Sequence, residues 1–247
     1  MILFDKKPRI NKIFLNKDFK LKIAHLPDFH INGISNINYL DIIQQVLLEK
    51  PDLIIYNGDI FNNYYKTENK IVEDLNIECK FGSFFVTGNR EGFYQSENNI
   101  IKNLKKTINF LESNKLKELI HLEIDGLNIY GIRDYHASNL DFLKDIKKFN
   151  EEEISNSIIF CHNPIIQSHL NLDKCKNNII ICGHTHGGQI FPFGYVKLEK
   201  ELQKIKIKRR GLHNLKNNNI IFIGNGVGYN HSKFRIFANN YIDILYY

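Results

Sequence analysis

Five short stretches of this chain end in metal-ligand residues, and most of them directly follow an apolar run that predicts a buried strand. The stretches lie at 28–30, 58–59, 88–91, 161–162 and 183–186. In α/β sheets, ligands collect outside the carboxyl ends of the strands, so side chains that are far apart in sequence converge there. The candidate ligands are Asp28, His30, Asp59, Asn89, His162, His184 and His186. Such a mixture of oxygen and imidazole donors suits first-row divalent metals.

The hydrophobic pattern alternates between the periods of strands and of amphipathic helices. Apolar runs predict strands at 21–26, 53–56, 83–86, 157–160 and 179–182. Helical spacing predicts helices at 39–47, 100–111 and 140–149. Asp125-Gly126 predicts a hairpin between 121–124 and 127–132. In the last third, strands at 220–223 and 241–245 have no helix between them, which predicts one α/β domain with two sheets over 1–247, preceded by an N-terminal extension at 1–20.

Composition and charge limit the cellular compartment and the kinds of binding partner that we expect. The chain has 247 residues and a formal charge of +6, which favours anionic partners only mildly. Its four cysteines form no Cys-x-x-Cys pair, which favours a reducing compartment. No apolar run approaches the roughly 20 residues that span a membrane. The first residues lack the apolar region of a signal peptide. We therefore expect a cytoplasmic protein, with peripheral contact to the inner face of the membrane as an additional candidate.

The spacing of the ligand candidates supports a centre with two divalent metals. Asp28 and His30 are alternate residues of one loop, as are His184 and His186, and a carboxylate such as Asp59 can bridge two cations. Two metals roughly 3.5–4 Å apart form a clamp for in-line attack on phosphorus and lower the pKa of a shared water. The predicted nucleophile is thus a metal-bridging hydroxide, and no catalytic Ser or Cys is needed.

The ordered set Asp-x-His, Gly-Asp, Gly-Asn, His and Gly-His-x-His resembles the calcineurin-like metallophosphoesterase superfamily from about Leu21 to the C-terminus. The string at 183–189 and the later segment at 224–228, followed by Phe234-Arg235, resemble its branch of YkuE- and YaeI-type phosphohydrolases. The resemblance implies a two-sheet β-sandwich flanked by helices. It also implies two ligand sets that share Asp59. The first is Asp28, His30, Asp59 and His186, and the second is Asp59, Asn89, His162 and His184.

Arg90 is the one departure from the family pattern, which usually has His after Gly-Asn. Arginine stays protonated near neutral pH and cannot act as a general acid, yet it can grip phosphate oxygens bidentately. An Arg in this position is similar to the UDP-2,3-diacylglucosamine pyrophosphatases of lipid A synthesis. We therefore assign Asp59, Asn89, Arg90 and His162 as catalytic candidates. Arg90, Gln189 and Arg235 are the substrate-binding candidates, the last two through the branch resemblance.

Several other features allow a functional and a structural interpretation. Aromatic residues after two of the metal motifs are candidates to rim the site and hold an acyl chain or a base, or they pack as ordinary loop residues; they are Phe61, Tyr64, Tyr65, Phe93 and Tyr94. The basic strand and turn at 204–210 is a candidate contact for anionic lipid or substrate phosphate, and a solvated strand face is the alternative. Asp134 and His136 are candidates to support the ligands. The histidines outside the ligand set are each expected to be structural or exposed rather than ligands; they are His25, His121, His136, His169, His213 and His231.

The sequence thus predicts a metal-dependent phosphohydrolase that cleaves a phosphodiester or diphosphate bond in a small molecule or lipid. UDP-2,3-diacylglucosamine is the most specific substrate hypothesis. A nuclease or cyclic-nucleotide phosphodiesterase is the alternative enzyme, although nucleic acid is not the favoured partner. A metal-free protein-binding scaffold is disfavoured because the chain keeps every ligand. The cofactor prediction is two divalent ions, with Mn first and Fe, Zn and Co also compatible with these ligands.

Overall fold

The computed structural model describes residues 2–4, 7–16, 20–31, 38–62, 69–92, 97–137, 139–190, 202, 207–230 and 234–247. In chain order, its strands β1 to β14 are Ile2–Phe4, Arg9–Phe14, Lys22–His25, Leu53–Asn57, Ser83–Val86, Lys117–Glu118, His121–Ile124, Leu127–Ile132, Ile158–Cys161, Ile179–Cys182, Gly211–Asn214, Ile220–Ile223, Phe234–Ile236 and Tyr241–Tyr246. Its α-helices α1 to α5 are Tyr39–Leu48, Asn69–Leu75, Asn89–Gly92, Glu97–Ser113 and Asn139–Glu151.

Two six-stranded sheets form the body of the described chain. The first has the spatial order β2-β14-β3-β4-β5-β6 and the second the order β11-β12-β10-β9-β8-β7, while β1 and β13 form a separate antiparallel pair. Strands β3, β4 and β5 run parallel to one another, as do β8, β9, β10 and β12. Parallel neighbours place their carboxyl ends on the same edge. The predicted two-sheet α/β fold is confirmed.

Alternation along the strands builds three apolar layers, because successive side chains of a strand point to opposite faces. In β4, Leu53 and Ile55 join the core between the sheets, together with Ile158 of β9 and Ile181 of β10. The alternate residue Ile54 faces a second core beneath α1, α2 and α4. A third core covers the other face of the second sheet and includes residues of α5. The helices thus flank the sandwich as predicted.

Most predicted elements lie where the hydrophobic pattern put them. Strands β5, β7, β8, β10 and β12 have the predicted bounds, β4 and β14 differ by one residue at one end, and β3 and β9 differ by one residue at both ends. Residues 1–20 contain β2, which pairs in parallel with β14 from Arg9↔Tyr241 to Phe14↔Tyr246. That strand was not predicted, because its residues alternate between exposed and half-buried positions and form no apolar run.

In the predicted basic strand and turn at 204–210, the strand is wrong over its described residues, 207 and 208. Residues 207–210 contain neither helix nor strand, and the strand of this region is β11, which begins at Gly211. The polar groups of the residues before β11 form hydrogen bonds with other loops and not with a neighbouring strand. Thr185 donates its hydroxyl to the carbonyl of Arg209 at 2.6 Å, and Arg210 donates to the carbonyl of Phe237 at 2.9 Å. Lys204 and Lys206 lie outside the described residues.

No described helix is long and apolar enough to cross a membrane.

Replacing a residue between the sheets should destabilise the fold far more than replacing an exposed residue of the same size. Ile158 is 0% exposed, whereas Leu48 is 80% exposed. We expect Ile158→Ala to lower the free energy of unfolding by about 2–5 kcal/mol. The control Leu48→Ala should change it by less than about 0.5 kcal/mol. Urea denaturation of both variants measures the difference, and equal effects would contradict this layer assignment.

Candidate metal centre

The seven predicted ligands meet at the carboxyl ends of five strands. Asp28 and His30 follow β3, Asp59 follows β4, Asn89 follows β5, and the imidazoles of His162, His184 and His186 follow β9 and β10. Asp28, His30, Asp59, His162 and His186 are each no more than 2% exposed. Asn89 and His184 are half-buried. The structure therefore brings the ligand atoms of Asp28, His30, Asp59, His162, His184 and His186 into one cluster at these strand ends, and it places Asn89 at the end of β5.

The two loops after β3 and β4 run side by side and fix each other. The amide of Asp28 donates to the carbonyl of Gly58 at 3.0 Å, and the amide of His30 donates to the carbonyl of Asp59 at 2.9 Å. Only glycine fits at position 58, where φ is +80° and a Cβ would lie 2.5 Å from Nδ1 of His162. The backbone amide of His184, from the loop after β10, donates to Oδ2 of Asp28 at 2.8 Å. Three loops thus share one hydrogen-bonded framework.

Five of the seven ligand residues have a left-handed backbone, with φ from 50° to 71° at Asp28, His30, Asp59, His184 and His186. Non-glycine residues rarely adopt this region, and each such residue stores strain of about 1–3 kcal/mol. The surrounding hydrogen bonds hold the backbone in place despite that cost. Strain of this kind concentrates at functional sites.

The first group of donors consists of Asp28, His30 and His186, whose ligand atoms lie within 4.8 Å of one another. Nε2 of His30 is 3.0 Å from Nε2 of His186. Nε2 of His186 is 3.3 Å from Oδ1 of Asp28. Oδ2 of Asp59 approaches Nε2 of His30 to 3.7 Å, so this carboxylate also faces the group.

The second group of donors gathers around His162. Nε2 of His162 lies 3.2 Å from Nδ1 of His184 and 3.6 Å from Oδ1 of Asp59. His184 and His186 therefore point to different groups, although only Thr185 separates them. The two oxygens of Asp59 face opposite groups, as a bridging carboxylate requires. Asp28 is also close to this group, since its Oδ1 lies 3.9 Å from Nε2 of His162.

The donor set fits divalent cations. Oδ1 of Asp28 and Oδ1 of Asn89 are buried and have no hydrogen-bond partner among the described residues. A buried oxygen without a partner costs free energy unless a ligand satisfies it. Both atoms belong to predicted metal ligands, and both are hard oxygen donors of the kind that binds such ions.

Groups behind the ligands orient the imidazoles. Nδ1 of His30 lies 2.7 Å from Oδ1 of Asn62, and Nδ1 of His162 lies 2.9 Å from the carbonyl oxygen of Asn57. Both partners accept, so in the neutral form of each ring Nδ1 carries the proton and Nε2 keeps the lone pair that a metal needs. No sequence signal marked Asn57 or Asn62 as part of the site.

Asn57 is itself held by a buried polar chain. Its Nδ2 donates to Nε2 of His25 at 3.0 Å and to the carbonyl of Ile181 at 3.0 Å, which uses both amide hydrogens. His25 must therefore carry its proton on Nδ1, which faces Oδ2 of Asp243 at 3.4 Å. His25 and Asp243 are both 0% exposed. This chain fixes the strand end from which Asn57 presents its carbonyl to His162.

Glu91 ties the loop after β4 to the start of α3. Its buried carboxylate accepts the backbone N–H groups of Asp59 at 3.0 Å, Ile60 at 2.8 Å and Gly88 at 2.7 Å. The backbone N–H of Arg90 also donates to Oδ1 of Asp59 at 2.7 Å. Asp59 is thus held from both ends. Glu91 lies inside the third sequence motif, but the sequence analysis did not name it as a site residue.

Burial and mutual charge set the protonation of this cluster. Burial raises the pKa of Asp59 to about 8, and the nearby carboxylates of Glu91 and Asp28 add to that shift. Burial alone would lower the pKa of His162, but the carboxylates of Asp59 and Asp28 raise it to about 9. Burial lowers the pKa of His30 to about 3, and it lowers the pKa of His186 well below the usual value. Near neutral pH, Asp59 and His162 therefore each carry a proton that a bound cation would displace.

The three predicted substrate-binding residues differ in burial and in hydrogen-bond partners. Arg90 is half-buried, and its Nη2 donates to Oδ1 of Asn230 at 2.9 Å. Gln189 is 1% exposed, and its Oε1 accepts the backbone N–H of Asn230 at 3.0 Å. Asn230 therefore links the two, and no sequence signal singled it out.

Arg235 was predicted to bind substrate, but its side chain is 0% exposed and lies behind His186. Its Nη1 donates to the carbonyl of His186 at 2.9 Å and to that of Asn225 at 2.8 Å. Its Nη2 donates to the carbonyl of Gly228 at 2.5 Å and lies 3.1 Å from Nδ1 of His186. These contacts are those of a residue that positions His186.

The prediction that aromatic residues rim the site is not supported by Phe61, the one of the five candidates that the structure describes. Phe61 is 2% exposed and belongs to the core beneath α1, where its ring meets Phe110 at 6.4 Å. The other four aromatic candidates and one histidine lie outside the described residues: Tyr64, Tyr65, Phe93, Tyr94 and His231.

Comparison with known proteins gives a family match over the same motifs. A model of the family described as calcineurin-like phosphoesterase matches residues 21–188. An uncharacterized metallophosphoesterase of Campylobacter jejuni is 31% identical over 237 residues, which cover 94% of this chain and 59% of the relative. The Bacillus subtilis metallophosphoesterase YkuE is 27% identical over 70% of this chain and 60% of the relative. The chain thus spans about three fifths of the length of these relatives. A dimetal phosphatase structure from Danio rerio aligns with a TM-score of 0.44 and 12% identity, over 85% of this chain and 88% of that one.

We expect Glu91→Gln to weaken metal binding by at least about tenfold. A glutamine has one acceptor oxygen where the carboxylate of Glu91 has two, and its NH₂ group would face a backbone N–H that needs an acceptor. Isothermal titration with Mn²⁺ measures the change. Glu78→Gln, at an exposed position, is the matched control and should bind like the wild type. Unchanged affinity in Glu91→Gln would show that Glu91 does not hold Asp59 in place.

Metal binding should release protons. With pKa values of about 8 and about 9, Asp59 and His162 both carry a proton near pH 7 in the metal-free protein. A cation needs the ionised carboxylate and the free imidazole lone pair, so affinity should rise as pH rises towards 8. Titrations in buffers of different ionisation enthalpy should show release of about one to two protons per chain. Proton uptake, or affinity that does not change with pH, would contradict this account.

Proposed function

The chain belongs to the calcineurin-like phosphoesterase family, and on that premise we propose that it hydrolyses a phosphodiester or diphosphate bond. The observation that carries the proposal is the placement of Asp59 between two groups of buried donors. One of its oxygens faces His162 and the other faces His30, at 3.6 Å and 3.7 Å. Such a paired centre matches the chemistry of in-line phosphoryl transfer.

We propose manganese as the metal, with iron, zinc and cobalt as alternatives. The first group would hold one ion and the second group, with Asn89, would hold the other. When bound, the two cations supply Lewis-acid activation of water and neutralise charge on the phosphoryl oxygens. The protein keeps the donors dry, fixes the tautomers of His30 and His162 and holds Asp59 between the groups, so little reorganisation remains when substrate binds.

Arg90 is the residue that we propose to grip the substrate phosphate. The backbone N–H of Arg90 donates to Oδ1 of Asp59 at 2.7 Å, so the residue lies beside the carboxylate that faces both groups of donors. Asn230 holds its Nη2, and the side chain is half-buried. A guanidinium offers fixed charge and a bidentate fork but no proton at neutral pH. It therefore favours substrates whose leaving group departs without protonation.

A diphosphate has such a leaving group, as does an aryl diester. The finer proposal is a nucleotide-linked lipid diphosphate of the UDP-2,3-diacylglucosamine kind, and it rests on Arg90 alone. A phosphate-containing small molecule is the broader class. Contact with a membrane surface would accompany the lipid substrate only.

The test is a hydrolysis panel with Mn²⁺ and with chelator. The panel compares a UDP-linked lipid, an aryl phosphodiester, a cyclic nucleotide and single-stranded DNA. We expect chelator to abolish hydrolysis and the first two substrates to be preferred. Preference for DNA or for the cyclic nucleotide would favour a nuclease or a cyclic-nucleotide phosphodiesterase instead.

Variants of Arg90 test its role directly. Arg90→Lys should lower kcat/KM on the diphosphate on the order of 100-fold, because a point charge cannot reproduce the fork. Arg9→Lys, at an exposed position of β2, is the control and should match the wild type. If Arg90→Ala stays within a few-fold of the wild type on both preferred substrates, Arg90 does not bind the phosphate and the diphosphate proposal loses its support.

A further inference from the structure

His136 lies beside the metal centre in a turn that has no assigned role. The turn follows β8, whose parallel neighbour β9 leads to His162. Oδ1 of Asp134 accepts the backbone N–H groups of His136 at 2.8 Å and of Ala137 at 3.2 Å. Asp134 is itself 0% exposed, so the turn is anchored from below. The backbone of His136 is therefore held in a defined position.

The imidazole of His136 stacks over a ligand of the second group. Its ring centroid lies 6.3 Å from that of His184, with an angle of 28° between the planes. The ring of Tyr135 meets it edge-on at 5.3 Å. His136 is exposed, whereas His184, on which it stacks, is half-buried and His162 is fully buried. His136 thus presents a polar ring at the surface of an otherwise buried cluster.

Two polar side chains flank His184 at this surface. Burial lowers the pKa of His184 well below its usual value, and charges on His162, His136 and Arg90 add to that shift. The ring of His136 stacks on that of His184 at 6.3 Å, and the backbone N–H of Arg90 donates to Oδ1 of Asp59 at 2.7 Å, so both residues border the second group of donors. Nη2 of Arg90 donates to Asn230, whereas the ring nitrogens of His136 make no hydrogen bond with the described residues.

We propose that His136 contacts the substrate and donates an N–H hydrogen bond to the leaving-group oxygen. The inference rests on the proposed function. In hydrolysis, the oxygen of water forms the new bond to phosphorus, and the bond to the leaving oxygen breaks with its electron pair. The leaving oxygen takes its proton from solvent. A hydrogen bond from His136 stabilises the negative charge as it develops and transfers no proton.

This role predicts a dependence on the leaving group. A good leaving group such as 4-nitrophenolate spreads its own charge, so it gains little from a donor. A poor leaving group such as unsubstituted phenolate gains more. A residue that only packed against His184 would affect both substrates equally, because its loss would disturb the metal centre itself.

The experiment compares His136→Ala and His136→Asn on two Mn²⁺-dependent reactions, the hydrolysis of bis(4-nitrophenyl) phosphate and of diphenyl phosphate. We expect His136→Ala to lower kcat on diphenyl phosphate by about 10- to 100-fold and on the nitrophenyl diester by less than about threefold. His136→Asn keeps an N–H donor and should recover part of the loss. His121→Ala is the matched control, since His121 is exposed and stacks on Tyr130 away from the site.

Metal content and thermal unfolding of each variant separate the outcomes. Equal losses on both diesters, accompanied by loss of bound metal, would show that His136 only supports His184 and would overturn the inference. Unchanged kinetics in His136→Ala would overturn it as well. Wild-type protein that hydrolyses neither diester would instead refute the proposed function, and this inference with it.

Discussion

The three hydrogen bonds that Glu91 accepts are the contacts on which the centre depends most. They join the loop that carries Asp59 to the turn that carries Asn89. Among the described residues, no other side chain makes as many hydrogen bonds between this loop and this turn. A carboxylate that accepts backbone N–H groups forms strong charge-assisted bonds. Because Asp59 faces both donor groups, its position decides whether one centre or two separate half-centres can form. The other ligands are then aligned by the loops that carry them.

The centre also shows why a fold accepts strain and buried charge. Five ligand residues hold left-handed backbones, and several carboxylates and imidazoles lie together in a dry interior. Without cations, such groups share protons, which is visible in the raised pKa of both Asp59 and His162. Bound cations would satisfy the oxygens of Asp28 and Asn89 and relieve carboxylate repulsion. The strand ends are stiff enough to hold this arrangement because three apolar layers pack against the two sheets.

Prediction worked best where physical periodicity is local. Buried strands such as Ile179–Cys182 and the hairpin at Asp125-Gly126 follow from apolar runs and turn residues close in sequence. The N-terminal strand Arg9–Phe14 was missed because its pairing with β14 joins chain segments more than 200 residues apart and leaves no apolar run. The basic segment was wrongly assigned to a strand because its alternation resembles a pleat, although its described carbonyls serve loop contacts.

For the site, the sequence by itself determined which residue types gather and in what order the strands deliver them. The seven ligands follow five strands, and parallel strands bring their carboxyl ends to one edge whatever the details of packing. Only the tertiary structure decided which atoms face each other, because this depends on how the second sheet lies across the first. It set the distances between the two groups that the family resemblance had implied, 3.6 Å and 3.7 Å from the two oxygens of Asp59, and it buried Arg235 behind a ligand. It also placed His136, which the sequence offered only as a candidate to support the ligands, over the ring of His184.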